Sequence, residues 1–487
     1  MPNAAARPSE WLPAAAAIVL AVTALRLALM AFNRTDLFVD EAQYWFWGQD
    51  LAFGYYSKPP MIGWVIRAAT ELAGSDAPFW VRLPAPLFHV ATALILGWIA
   101  AERYGRAAAV WTAALYITLP MVTVGSFMVS TDTIMFPFLA LALGLWLKAL
   151  DRGGHAGLAF AAGLAAGLGF LAKYAAVYGP LGAALAAAAM GQGRPGWRAA
   201  GAGLAGFLLA AAPNIGWNLA NGLTTVQHTL DNADWVRDPA ERAGLNLAGM
   251  AEFFLSQFAV FGPVLFGALI WLGLRGGAGS DERRRLLWFS LPVVALVCVQ
   301  ALLSEAYANW AVLAYQAGLL AVVPWLLTKP RPWLWGSLAL HGALALAVPA
   351  IAAFGTDWRI GPEERLVAAR YLGRSEMSRE ILALARAHGG TVVADDRDVL
   401  ADLFYTGRDA GVQIWALPEA GRPSNHYVQT RAYPARGAGP VLLVTRRSEP
   451  PPACTGARHL GTLAPESGAY RDRDQDAFLV DPACLRP

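Results

Sequence analysis

Cysteine, charge and nucleotide-binding motifs are what this sequence has least of. Only 15% of its 487 residues are Asp, Glu, Lys or Arg, against about 25% in an ordinary globular domain. That shortage excludes a typical soluble enzyme. The net charge of +3 is close to balance and gives no reason to invoke nucleic acid. No His/Cys pattern with zinc-site spacing occurs. No Gly-rich phosphate loop followed by Lys and Ser or Thr is present, and no dinucleotide fingerprint. These absences argue against ATP-driven transport and against a nucleotide-sugar donor. There is no internal repeat and no long low-complexity linker. Of the three cysteines, Cys298 lies in an apolar segment and reads as a small packing residue. Cys454 and Cys484 lie in the polar C-terminal part, where an oxidising compartment would allow a disulfide between them.

What the chain has in quantity is apolar sequence. It is 56% hydrophobic, with a mean hydropathy of +0.40. The run from Trp11 to Phe32 is longer than a signal-peptide core and predicts a retained first membrane helix. Further apolar segments at 82–101, 107–122, 132–150, 156–172, 174–190, 199–219, 259–274, 286–304, 308–327 and 333–353 follow. The total is about eleven spans of about 20 residues each. Several are rich in Ala and Gly, which lets helices approach closely in lipid.

Charge position supports that count. With the N-terminus cytoplasmic, alternate loops hold Arg103 and Arg106, Lys148 and Arg152, Arg194 and Arg198, Arg275 with Arg283–Arg285, and Lys329 with Arg331. Every loop expected on the cytoplasmic side is basic, as the positive-inside rule requires. The opposite face then carries loops at 33–81 and 220–258 and everything after the last span. The chain thus reads as a membrane domain over residues 1–355 and a smaller extracytoplasmic domain over 356–487. In the latter, Glu380–His388 has helical periodicity, while Thr391–Ala394 and Val441–Thr445 read as buried strands. That is a small α/β domain.

The stretch Asp40–Pro60 follows directly on the first span. It opens with Asp40 and Glu41, runs through Gln43, Tyr44, Trp45 and Trp47, and ends on Lys58-Pro59-Pro60. Charges beside aromatics at a membrane face suit a polar head group carried on a lipid. Asp40 also suits a plain helix cap. Adjacent helical residues diverge by about 100 degrees, so the two acids have different tasks. One faces a cavity as a general base; the other binds a hydroxyl or orients the loop. Lys58 is either a substrate cation or an interfacial snorkelling lysine. Asp132, in Ser130-Thr131-Asp132, is again either a cap or a ligand-facing acid. Lys173 stands between apolar residues on the outer side and requires an anion or a polar cavity. Polar and aromatic residues from Asn214 to Trp235, among them His228 and Asn232, suit a carbohydrate, as does Asn309 in Ala308-Asn309-Trp310. Their alternative is a hydrogen-bonded loop.

The order of Asp40-Glu-Ala-Gln-Tyr-Trp, Gly54-Tyr-Tyr-Ser-Lys-Pro-Pro, Arg82-Leu-Pro-Ala and Ser130-Thr-Asp after an apolar span resembles a known family. It is similar to the GT-C glycosyltransferases of the protein mannosyltransferase and lipid A aminoarabinose transferase superfamily. With Ala172-Lys-Tyr, Trp217-Asn, His228-Thr and Ala308-Asn-Trp it looks most like the bacterial lipid A and core galacturonosyltransferases. The resemblance spans residues 10–355. It implies a polyprenyl phosphate sugar donor at the periplasmic face of the inner membrane, and an envelope acceptor such as lipid A or lipopolysaccharide core. It implies Asp40 as the catalytic residue of an inverting transfer. Lys58, Lys173 and Arg82 are then candidates for the leaving phosphate. Glu41, Asp132, Tyr56, His228, Asn232 and Asn309 complete the substrate-binding candidates. A divalent cation held by Asp40 or Asp132 is left open, as are sugar, acceptor and oligomeric state. The competing expectations are transfer to protein or another envelope glycan, and a flippase for the lipid-linked sugar. A flippase would place charges near the midplane and show repeats; here the charges gather at one face.

Overall fold

The computed structural model describes residues 10–191, 195–233, 245–434 and 439–486; Arg194 and Trp235 fall outside them. The chain forms two compact units that interleave along the sequence. One comprises Met1–Met30, Lys58–Ile62 and Arg82–Pro349; the other comprises Ala31–Ser57, Gly63–Val81 and Ala350–Pro487.

Every apolar segment expected as a span is helical. Among the described residues, six helices are long and apolar enough to cross a membrane: Leu12–Ala31, Pro78–Tyr104, Thr131–Asp151, Trp197–Ala220, Asp281–Leu303 and Pro332–Phe354. Two bent pairs, Arg106–Thr118 with Pro120–Phe127 and Leu247–Val260 with Pro263–Leu274, raise the number to eight if each is one span. The shorter apolar helices Ala156–Ala172, Tyr174–Ala189 and Ala314–Leu326 account for the rest. The chain is a multi-pass membrane protein.

The breaks have local causes. Pro120 and Pro263 each stand at the first position of a helix, where a missing N–H costs nothing. The bend of 118° at Gly262 uses φ +93°, and a Cβ there would collide with the imidazole of His341. Only glycine satisfies both demands. Close packing elsewhere follows from small residues, as the Ala/Gly content predicts. A Cβ on Gly163 would run into the backbone of Gly203, and one on Gly206 into the carbonyl of Phe160. The Ala156–Ala172 and Trp197–Ala220 helices therefore meet backbone to backbone.

The second unit is built on a five-stranded sheet. Its members, after a short antiparallel pair β1 (Arg359–Ile360) and β2 (Arg365–Leu366), are β3 (Thr391–Ala394), β4 (Gln413–Ala416), β5 (Val441–Thr445), β6 (Arg458–Leu463) and β7 (Gln475–Val480). The spatial order is β4-β3-β5-β7-β6. β3 pairs in parallel with both β4 and β5, while β7 is antiparallel to β5 and β6. β5 is buried along its whole length, which explains its unbroken apolar run. The helices Arg374–Ala387 and Arg397–Thr406 flank β3 in sequence, the second being the crossover to β4. Cys454 and Cys484 are joined by a disulfide with Cα atoms 4.9 Å apart. The segment 31–57 joins this unit through aromatic contacts, Trp45 meeting Tyr405 edge-on at 5.0 Å and Phe46 packing on Phe404 at 4.6 Å, and the segment 63–81 through the Asp76 carbonyl, which accepts from the Tyr405 hydroxyl.

Candidate active site

The helix Val39–Gly48 carries the first set of candidates. Glu41 is buried and its Oε2 accepts from the backbone N–H of Phe38 at 2.9 Å, closing a cap at the helix start. Asp40, one residue earlier, turns elsewhere; its side chain is 44% exposed. The divergence expected from helical geometry is therefore present: one acid orients the helix and its neighbour stays accessible.

Further side chains immobilise this helix. Trp45 donates from Nε1 to Asp76 at 2.8 Å, and the Tyr405 hydroxyl donates to the Asp76 carbonyl at 2.6 Å. Trp47 stacks on Tyr55 with ring centroids 4.8 Å apart, and the Tyr55 hydroxyl donates to the Trp47 carbonyl at 2.8 Å. Burial pushes the Tyr55 phenol up to about 12, with the Ala52 backbone bond opposing and Asp50 adding. It is a neutral structural donor. The Tyr56 hydroxyl donates to the carbonyl of Pro423 at 3.0 Å.

Asp40 has a partner that sequence reading missed. Arg397 donates from Nη2 to Asp40 Oδ1 at 2.6 Å and from Nε to Gln43 Oε1 at 2.8 Å. Asp40 and Gln43 are three residues apart on one helix face, so a single guanidinium edge reaches both. Burial works to lower the Arg397 pKa, but the charge of Asp40 and the bond to it, with Tyr427 and Asp398 adding, together outweigh burial and raise it. The signal available in the sequence was the run Asp395-Asp396-Arg397-Asp398, one cation among three acids.

The other unit holds a second cluster. Asp132 lies in the first turn of Thr131–Asp151, whose cap is the Ser130 hydroxyl. Lys173 follows the end of Ala156–Ala172 with an extended backbone. Its Nζ donates to both Asp132 oxygens at 2.8 Å, and Asn309 Nδ2 donates to Asp132 Oδ2 at 3.3 Å. The anion that Lys173 required is thus Asp132. Beside it in sequence, the Tyr174 hydroxyl donates to Asn214 Oδ1 and accepts from Asn218 Nδ2, each at 3.0 Å. Arg82 is buried, with its guanidinium 5.7 Å from the Phe127 ring centre. Lys58 is half-buried just before the helix Met61–Ala73. His228 is half-buried on the helix Thr224–Ala233; Asn232 is on the same helix and its side chain is outside the described residues.

Arg26 is a further residue that sequence reading passed over. It is a buried cation inside the first apolar helix, donating to Ser126 at 3.0 Å and Thr123 at 2.9 Å. An Arg within a run of about 20 apolar residues was the visible signal.

As for metals, no group of three or more His, Cys, Asp or Glu side chains is placed to hold an ion among the described residues. Asp40 and Asp132 each pair with a side-chain cation, which takes up negative charge that a divalent ion would need. Chemically, the first cluster offers an accessible carboxylate on a rigid helix. The second is an ammonium and an amide that both donate to the Asp132 carboxylate, an ion pair with no net charge.

Comparisons with known proteins agree with these features. A family model described as dolichyl-phosphate-mannose-protein mannosyltransferase matches residues 57–217. The fold is similar to crystal structures of ArnT from Cupriavidus metallidurans, in the apo state (TM-score 0.62) and bound to undecaprenyl phosphate (TM-score 0.64). Both are 14% identical, and each match covers 98% of this chain and 99% of the other. The lipid A galacturonosyltransferase RgtD of Rhizobium johnstonii is 42% identical over 482 residues, 96% of this chain and 98% of its own. The chain therefore belongs to the GT-C glycosyltransferase family that includes this galacturonosyltransferase.

Proposed function

We propose that this enzyme transfers a uronic acid sugar, galacturonic acid, from a polyprenyl phosphate carrier to lipid A at the periplasmic face of the inner membrane. The observation that carries the reading is identity of 42% to a lipid A galacturonosyltransferase along nearly the whole of both chains. The basic loops on one side favour a cytoplasmic N-terminus and a periplasmic C-terminal unit.

In this reading an acceptor hydroxyl attacks the anomeric carbon with inversion. Asp40 takes the hydroxyl proton, the bond from the anomeric carbon to the phosphate oxygen breaks, and polyprenyl phosphate departs. Negative charge grows on that phosphate and needs fixed cations. Lys173, Lys58 and Arg82 are assigned to it. Asp132, which also accepts from Asn309, holds the Lys173 ammonium in place. Tyr56, His228 and Asn232 are assigned to sugar and acceptor binding, and Glu41 fixes the start of the helix that carries Asp40.

Mass spectrometry of lipid A and core from cells with and without the gene tests this. One hexuronosyl mass is lost in the deletion and restored by wild type but not by Asp40→Asn. Unchanged lipids would redirect the search to protein or another glycan as acceptor. Donor accumulating only in the cytoplasmic leaflet would point to a flippase instead.

A further inference from the structure

We propose that Arg397 recognises the carboxylate of the transferred sugar and thereby sets donor specificity; the proposal rests on the uronate reading above. A sugar acid entering a low-dielectric site must be met by a cation. The planar fork of arginine matches a carboxylate in two-point fashion.

Three observations single out Arg397. The first is its place in the sheet. It begins the helix that leaves the carboxyl end of β3, and β3 lies between β4 and β5, where the strand order reverses. Open α/β sheets bind ligands at that kind of position. The second is that its acidic neighbours have other partners. Asp395 accepts from the Thr445 hydroxyl at 2.6 Å, Asp396 from Arg473 at 3.2 Å, and Asp398 from Arg473 at 3.0 Å. Asp396 also caps the helix. The charge of Arg397 is therefore directed at Asp40 rather than at the acids beside it in sequence.

The third is an open edge. Nε and Nη2 bind Gln43 and Asp40, while Nη1 has no hydrogen-bond partner among the described residues, and the side chain is 37% exposed. A carboxylate on that edge sits across the guanidinium from Asp40. The one cation is then shared by the two anions, and the sugar is held next to the residue that receives the acceptor proton.

The test uses the full-length protein in nanodiscs with lipid A as acceptor and two donors, polyprenyl phosphate galacturonate and polyprenyl phosphate galactose. Both carry the same phosphate, so any role of Arg397 on the carrier cancels in their ratio. Wild type is expected to favour the uronate in kcat/KM. Arg397→Gln slows both donors, because it also loosens Asp40, but the uronate-to-galactose ratio falls on the order of 100-fold. Arg397→Lys keeps part of the preference. An unchanged ratio in Arg397→Gln would overturn the proposal and leave the proposed function standing. Wild type using both donors equally would overturn it without any variant, which covers the case of a variant that does not fold. Wild type that transfers galactose but not galacturonate would overturn the uronate reading and this proposal together.

Discussion

Arg397 and Asp40 are 357 residues apart in the chain and 2.6 Å apart in space. The same guanidinium holds Gln43, so it fixes the Val39–Gly48 helix at two points one turn apart. Asp40 is thereby an acid with a set direction, one oxygen on Arg397 and a side chain still 44% exposed. A general base needs that combination of restraint and access.

Asp40→Asn should keep this geometry and remove the base. An amide oxygen can still accept from Arg397, so the melting temperature in detergent should shift little. The expected loss in kcat is about 10²- to 10⁴-fold. A folded Asp40→Asn enzyme with wild-type kcat would remove Asp40 from the chemistry.

Lys173→Ala should raise the donor KM and also leave Asp132 with one bond from Asn309 and no cation. The two side chains are 20% and 12% exposed, so the lost pairing should cost about 2 kcal/mol, below the figure for a fully buried pair. Asp132→Asn combined with Lys173→Gln removes both charges and should recover most of that stability without recovering donor affinity. Recovery of both would make the pair purely structural.

The sequence exposes some of this design and hides the rest for physical reasons. Apolar run length makes the membrane segments visible, and β-branched runs such as Val441–Thr445 mark buried strands. Divergence of Asp40 and Glu41 follows from helical geometry alone. Partner choice does not. The acids at 395–398 are adjacent to Arg397, yet Asp396 and Asp398 bind Arg473 while Arg397 reaches Asp40. That choice depends on where the sheet places the Arg397–Thr406 helix. Likewise Lys173 announces that it needs an anion, but Asp132 answers from 41 residues away.

The Cys454–Cys484 bond closes a sequence separation of 30 residues. By loop entropy it should stabilise the second unit by about 3–4 kcal/mol. Substituting both cysteines with serine should speed hydrogen exchange in β5 and β7, since Cys454 packs with Val441, Phe478 and Val480. Exchange equal to wild type in those strands would show that the bond contributes nothing to the fold.

Asp402 should give the second unit a pH-dependent stability. It is 2% exposed, and burial pushes its carboxyl up to about 6; bonds from Ser378 and Thr406 oppose this, Asp36 adds to it and Arg374 opposes it. An unfolded chain holds the group near about 3.9. The folded state thus binds the proton more tightly. Its stabilising contribution is complete below about pH 4 and is lost as pH rises through about 6, a change of about 3 kcal/mol. Asp402→Asn cannot ionise, and its amide oxygen can still accept from Thr406, which lies 2.8 Å from Asp402 Oδ1. Unfolding measured from pH 4 to 7.5 should therefore lose much of its downward slope in the variant, and the variant should match or exceed wild type at pH 7.5. A variant that keeps the full wild-type slope would place the titration on another group, and one markedly weaker at pH 7.5 would show that the Asp402 charge holds Arg374 more strongly than burial opposes it.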